Sequence, residues 1–291
     1  MPHVLHRPAT RSPYMAKWDD LVLAIPPHAG GRYQAPAAVT LLETLLGLHE
    51  AQLTLLRGLH RDVRPLREGP FHAGRLHLEA VRAPQATRDE QLERLKSARS
   101  CFTEAMGTER DKARLSFIAL HLGLCWLLLG AERDAREWTQ LAHRTAVEAM
   151  KDILVEASKH QGLTQNRYLD PALTFFMFFT STATLGAGYL FWDRVLSKRT
   201  GTVMRRALGQ MQALADYVDM LGEVRLRLGE LPHDVARYEL THGVDEQQSV
   251  ARITIRKLIS DREAIYFNGR ETRKVTWNDQ ERSEVITREL I

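Results

Sequence analysis

Residues 116–149 read SFIALHLGLCWLLLGAERDAREWTQLAHRTAVEA, and this stretch predicts two helices that are separated by a tight turn. Apolar residues recur at helical spacing on both sides of Gly130, and glycine readily adopts the positive φ angle that ends many helices. We expect one helix from about 109 to 129 and a second from about 132 to 158. The fold is therefore expected to be mainly α.

The spacing of residues in these two helices resembles that of a tetratricopeptide repeat. The likeness covers about one and a half repeats, residues 91–149, although Thr139 stands where the family prefers a large aromatic residue. It rests on Leu122, Gly123, Trp126, Gly130, Ala135 and Ala142, and on Ala98, Phe102 and Ala105 in the preceding helix. Small residues would let the helices approach closely, and Trp126 would fill the remaining groove. The resemblance implies binding of a protein or peptide; a plain helical bundle is the alternative.

Helical patterns continue outward from this pair towards the N-terminus. A stripe after Pro36 consists of Leu41, Leu45, Leu48, Leu55 and Leu59, which is typical of an amphipathic helix. Thr87 and Glu90 have the spacing of a capping box, in which each side chain accepts a hydrogen bond from the other residue's amide. They predict the start of a helix that ends near Gly107.

Two segments on this side of the chain do not show a helical pattern. Residues 1–36 are expected to be irregular, with Leu21–Ile25 as a short strand or a docked turn. Residues 63–86 contain three prolines and two glycines and are interpreted as a linker or loop.

The pattern of apolar residues changes near the C-terminus. Leucine occurs 41 times but only twice after Ser249, whereas six of the nine isoleucines follow it. A last long helix is expected after Gly201, and period-two alternation begins near Arg252. Asn268-Gly269, between two β-branched and aromatic runs, predicts a β-hairpin with a type I′ turn. Residues 279–291 are expected to form a short helix, so we expect a helical domain over 37–231 and a small α/β module over 246–291.

The segment from Pro171 to Trp192 contains no charged residue over 22 positions. This length is sufficient for a membrane-spanning helix. The residues proposed to contact lipid are Phe175, Phe178, Phe179, Gly186, Gly188 and Trp192. A buried central helix of a bundle in water is the alternative, because the middle of the segment is rich in threonine.

The predicted hairpin module is basic, with aromatic residues interleaved. Contacts to nucleic acid or another anion are assigned to Arg256, Lys257, Arg270, Arg273 and Lys274. The alternative is a solvated sheet whose charged residues prevent aggregation.

Composition excludes several classes of protein. The formal net charge is +4 and 44% of the residues are hydrophobic, which excludes wholesale disorder. Two cysteines are too few for a disulfide framework. We find no glycine-rich phosphate loop, no HExxH or CxxC motif and no GxSxG elbow, so no catalytic residue, cofactor or metal is assigned.

The favoured function is that of a non-catalytic scaffold protein that binds a protein partner or a second copy of itself. A membrane-inserting effector and a nucleic-acid-binding component are the alternatives. The composition is typical of a GC-rich bacterial source, and a cytoplasmic location is expected, with possible membrane association.

Overall fold

The computed structural model describes residues 15–25, 35–83, 85–165, 187–232, 234–244, 250–260, 263–269, 272–277 and 282–287. The helices are α1 (Met15–Ala24), α2 (Ala35–Gly58), α3 (Arg64–Arg67), α4 (Gly69–Val81), α5 (Arg88–Thr108), α6 (Lys112–Leu128), α7 (Glu132–Gln165) and α8 (Ala187–Arg227). The strands are β1 (Arg237–Val244), β2 (Val250–Ser260), β3 (Glu263–Phe267), β4 (Thr272–Trp277) and β5 (Arg282–Thr287). The predicted fold class, mainly α with a small C-terminal β module, is confirmed.

The chain divides into two compact units. The helical unit contains the described residues between 15 and 149 and those between 213 and 237. The sheet unit contains the described residues from 150 to 212 and from 238 onwards. This division passes through α7 and α8, which the sequence-based division keeps whole.

The leucine stripe of α2 is buried as its spacing predicts. Leu41, Leu45, Leu48 and Leu55 have no exposed surface, and Leu59 is 5% exposed. The start of α5 is also confirmed, because Thr87 Oγ1 accepts a hydrogen bond from the amide of Glu90 and Glu90 Oε2 accepts one from the amide of Thr87. Both features are local, and local spacing alone is enough to predict them.

The prediction that residues 63–86 form a loop is wrong. They contain α3 and the whole of α4, and Pro65 and Pro70 are the second residues of these helices, in the first turn, where a missing amide hydrogen is tolerated. Gly74 lies inside α4, where a Cβ atom would come within 2.7 Å of the Phe102 ring. The prolines therefore begin helices and this glycine permits a close helix contact.

The expectation of a strand or turn at Leu21–Ile25 is also wrong, because Leu21–Ala24 form the last turn of α1 and Ile25 follows directly. Trp18, Leu21 and Ile25 are buried at helical spacing. A short apolar run fits a strand or a helix equally well. Trp18, three residues before Leu21, gives the buried residues the spacing of three and four that is typical of a helix.

The hairpin prediction is correct in its strands, but the predicted turn and the predicted terminal helix are both wrong. Phe267 pairs with Thr272, so four residues connect β3 to β4, whereas a type I′ hairpin has two. Residues 282–287 of the predicted terminal helix form β5, which pairs antiparallel with β4. The strand order is β1-β2-β3-β4-β5, and pairing with a neighbour decides the conformation of such a short, mixed segment.

Candidate functional site

The predicted close contact between α6 and α7 occurs at Gly123. A Cβ atom on Gly123 would lie 2.9 Å from Thr139 Cγ2 and 3.1 Å from the carbonyl oxygen of Ala135. Gly130 has φ of +80° and ends the turn between the two helices. Glycine therefore serves two purposes here, close helix approach at one position and a left-handed turn at the other.

The other residues proposed for helix packing lie mostly in the interior of the helical unit. Those with no exposed surface are Ala98, Phe102, Leu122, Ala135 and Ala142, and Ala105 is 6% exposed. Trp126 is only half-buried, and the guanidinium group of Arg99 lies 4.4 Å from its ring centroid. Trp126 thus contacts α5 through a cation–π interaction.

Helix α6 is buried on nearly all of its surface. Every residue from Ser116 to Cys125 is buried, including those on opposite faces of the helix. On one side Phe117 meets the Tyr217 ring edge-on at 5.0 Å, and Trp18 packs on the same tyrosine at 5.2 Å. A helix surrounded in this way offers no surface to a partner. A docking surface among the helices that pack around α6 therefore has to lie on α4, α5 or α7.

The four described basic residues that were proposed to bind an anion lie on two opposite faces of the sheet. Arg256, Tyr266 and Arg273 lie opposite one another across β2, β3 and β4 and share one face of the sheet, whereas Lys257 and Lys274 share the other. Arg256 pairs with Glu239 at 3.1 Å, and Lys274 pairs with Glu263 at 2.6 Å.

Most of the residues proposed to contact lipid belong to 171–186, which lie outside the described residues. Gly188 and Trp192 lie in the first turns of α8. Arg270, from the proposed anion site, also lies outside the described residues. In the part of the chain that the structure describes, no helix is both long enough and apolar enough to span a membrane.

A buried polar and aromatic cluster in the helical unit was not predicted from the sequence. It joins α2, α4, α5 and α6, and we call it the polar–aromatic cluster. Its members are His49, Phe71, Arg75, Phe102 and His121. Gln52, which is fully buried, follows His49 by three residues on α2.

The aromatic rings form the centre of this cluster. The Phe71 ring centroid lies 4.9 Å from that of His121, 5.2 Å from that of Phe102 and 5.8 Å from that of His49. The sequence does contain a signal for the polar part, because Gln52 occupies the position between Leu48 and Leu55 in the buried stripe of α2.

The two histidines of the cluster are held neutral by their surroundings. Burial, with the nearby charge of Arg75 adding to it, lowers the pKa of His49 to about 3. Burial also lowers the pKa of His121 to about 4. Nδ1 of His121 lies 2.9 Å from the carbonyl oxygen of Phe117, so this nitrogen carries the proton and donates. Neither imidazole is poised for general acid–base catalysis near neutral pH.

The thiols of the two cysteines have raised pKa values. Burial raises the pKa of the Cys125 thiol to about 12, and burial together with Glu104 raises that of Cys101. Among the described residues, no group of three or more His, Cys, Asp or Glu side chains is arranged to hold a metal ion. No protein-family model matches the chain, and no curated protein or solved structure is significantly similar to it.

Proposed function

We propose that this chain is a non-catalytic interaction protein that binds a protein partner through the outer face of the α4–α5 helix pair. The observation that carries the proposal is the exposure of two leucines on this pair. Leu76 of α4 is 50% exposed and Leu92 of α5 is 42% exposed. Covering each of them would contribute about 1 kcal/mol to binding.

The packing beneath this face supports a rigid binding surface. Helix α4 approaches α5 closely at Gly74, and Phe71 and Phe102 pack against each other below the pair. Since these inner side chains are fully buried, the exposed leucines are held on fixed backbones. Preorganised side chains lose little conformational freedom when a partner binds.

The state of the reactive groups favours binding over catalysis. The buried imidazoles of His49 and His121 are neutral at pH 7, and burial keeps the Cys125 thiol protonated. These groups therefore suit a structural interior better than an active site.

Site-specific photocrosslinking in the native host cells tests the proposal. Benzoylphenylalanine is placed at position 76 or at position 92, and at position 133 as a control, because the Arg133 side chain is 91% exposed on α7. We expect one discrete adduct with a protein from positions 76 and 92 and none from 133. The adduct from position 76 should be lost in a Leu92→Asp background.

The products of this experiment distinguish the possible outcomes. An adduct with a second copy of the chain would identify the partner as the protein itself. No adduct at all, or the same adducts from position 133, would contradict the proposed surface.

A further inference from the structure

Arg99 and Trp126 form a stacked pair at the surface of the helical unit. The guanidinium group of Arg99 on α5 lies 4.4 Å from the ring centroid of Trp126 on α6, and both residues are half-buried. Stacking occupies the face of the guanidinium group, so the N–H donors at its edge stay available to an acceptor. Among the described residues, none accepts a hydrogen bond from the Arg99 side chain or forms an ion pair with it.

The surroundings of Arg99 on α5 are basic rather than acidic. The residues three or four positions from it are uncharged or basic, namely Leu95, Lys96, Phe102 and Thr103. Lys96 pairs with Glu93 at 2.8 Å, and these side chains are 48% and 70% exposed. Such an exposed pair contributes little free energy, so a carboxylate from another molecule can replace Glu93. Two positive charges are therefore available to an acidic partner.

An exposed apolar side chain lies on the same side of α5. Leu92 precedes Arg99 by seven residues, which is about two helical turns, and it is 42% exposed. Lys96 lies between them, so the three side chains follow one stripe along the helix. We call this stripe, together with Trp126, the leucine–arginine surface. Tryptophan and arginine are among the residues that contribute most to protein–protein binding.

We propose that the leucine–arginine surface binds an acidic segment of the protein partner, in which carboxylate and apolar side chains alternate. This inference rests on the proposed function, because Leu92 belongs to both surfaces, and it adds the chemistry of the partner. A carboxylate of the segment accepts two hydrogen bonds from the guanidinium edge of Arg99, and Lys96 supplies a second positive charge. A neighbouring apolar side chain covers Leu92 and the exposed part of the Trp126 ring.

Binding of synthetic peptides to the full chain tests the chemistry of the segment. One peptide alternates leucine with glutamate, and the other has glutamine at each glutamate position. The chain carries fluorotryptophan, and the fluorine NMR signal of Trp126 is the one that Trp126→Phe lacks. We expect the glutamate peptide to shift this signal and to bind about tenfold more tightly than the glutamine peptide. Its affinity should fall as the salt concentration rises.

Variants of α5 identify the group that binds the carboxylate. Arg99→Gln should abolish the preference for the glutamate peptide. Arg99→Lys keeps the charge without the planar fork and should weaken binding less. Arg94→Gln removes an exposed arginine from another side of the same helix and should leave the preference unchanged. The Tm of each variant without peptide shows whether it remains folded.

The leucine–arginine surface does not bind acidic segments if the two peptides bind equally, or if folded Arg99→Gln keeps the preference. The same follows if neither peptide binds at about 1 mM, which is weak for a specific contact. Crosslinking from position 76 tests the proposed function separately, because Leu76 is not part of this surface. An adduct from position 76 together with any of these results refutes only the acidic segment. Binding of the glutamate peptide without any crosslinked protein refutes only the proposed function.

Discussion

Ser158 and Gly269, which are 111 residues apart in the chain, join α7 to the β3–β4 turn. Ser158 Oγ lies 3.2 Å from the carbonyl oxygen of Gly269 and donates a hydrogen bond to it. Gly269 has φ of +87°, and a Cβ atom there would lie 2.8 Å from Ser158 Oγ and 2.9 Å from the carbonyl oxygen of Leu154. Close approach and backbone conformation thus both require glycine at this position.

Gly269→Ala should destabilise the chain by about 1–3 kcal/mol, because alanine disfavours the positive φ and its Cβ would overlap α7. Gly209→Ala is the control, since a Cβ atom at Gly209 in α8 meets no heavy atom within 4 Å. That change should be neutral or stabilising. Urea unfolding measures both; equal stabilities of the two variants would refute the contact.

Gly123→Ala should destabilise the helical unit by about 1–3 kcal/mol, because the added methyl group would overlap Thr139 Cγ2. Thr139→Ser removes that methyl group and keeps the hydroxyl, which donates to the carbonyl oxygen of Ala135 at 2.9 Å. The double variant should therefore recover part of the loss. Gly107→Ala, which meets no neighbour within 4 Å, is the control, and strict additivity of the two changes would argue against the overlap.

The stability of the helical unit should fall as the pH is lowered below about 6.5. In the unfolded chain His49 and His121 titrate near 6.5, whereas in the folded chain their pKa values are about 3 and about 4. The unfolded state therefore binds more protons between these values, and stability that is complete above pH 6.5 is lost progressively down to the folded pKa values.

Each histidine should contribute about 2 kcal/mol to the loss of unfolding free energy between pH 7.5 and pH 5. His49→Phe removes one of the two groups and should make the pH dependence shallower by about that amount. His60→Phe changes an exposed histidine and should leave the slope as it is. If the unfolding free energies of the native chain and His49→Phe change in parallel with pH, the buried imidazole does not cause the pH dependence.

Glu230→Gln should destabilise the end of α8 strongly, by about 3–5 kcal/mol. The side chains of Arg225 and Glu230 are only 10% and 7% exposed, and Arg225 also contacts His143. The substitution leaves the Arg225 charge buried without its carboxylate. Glu137→Gln breaks an exposed pair with Arg133 and should change stability by less than about 0.5 kcal/mol, so similar effects of both changes in thermal unfolding would contradict the role of burial.

The spacing of residues in the sequence predicted the features that depend only on residues within one helix. The α2 stripe from Leu41 to Leu59 and the capping box at Thr87 depend on residues within one helix. The α4 helix was missed because Pro70 and Gly74 are loop signals when they are taken alone. They become helix residues once Pro70 occupies the first turn and Gly74 faces Phe102.

The polar–aromatic cluster can likewise be predicted from the sequence only in part. Gln52 interrupts the leucine stripe of α2 at a buried position, which is a signal for a buried amide. Nothing in the sequence indicates that Phe71 and His121, 50 residues apart, have ring centroids 4.9 Å from each other. That proximity depends on how the helices pack.

The sequence by itself determined the mainly helical class, the two helices on either side of Gly130 and the strands on either side of Asn268-Gly269, because periodicity and turn residues act over a few positions. Tertiary structure alone decided that α6 is enclosed, that residues 282–287 are a strand and that Gly269 contacts α7. Burial and strand pairing depend on neighbours that are distant in the chain, and their free energy outweighs local preference.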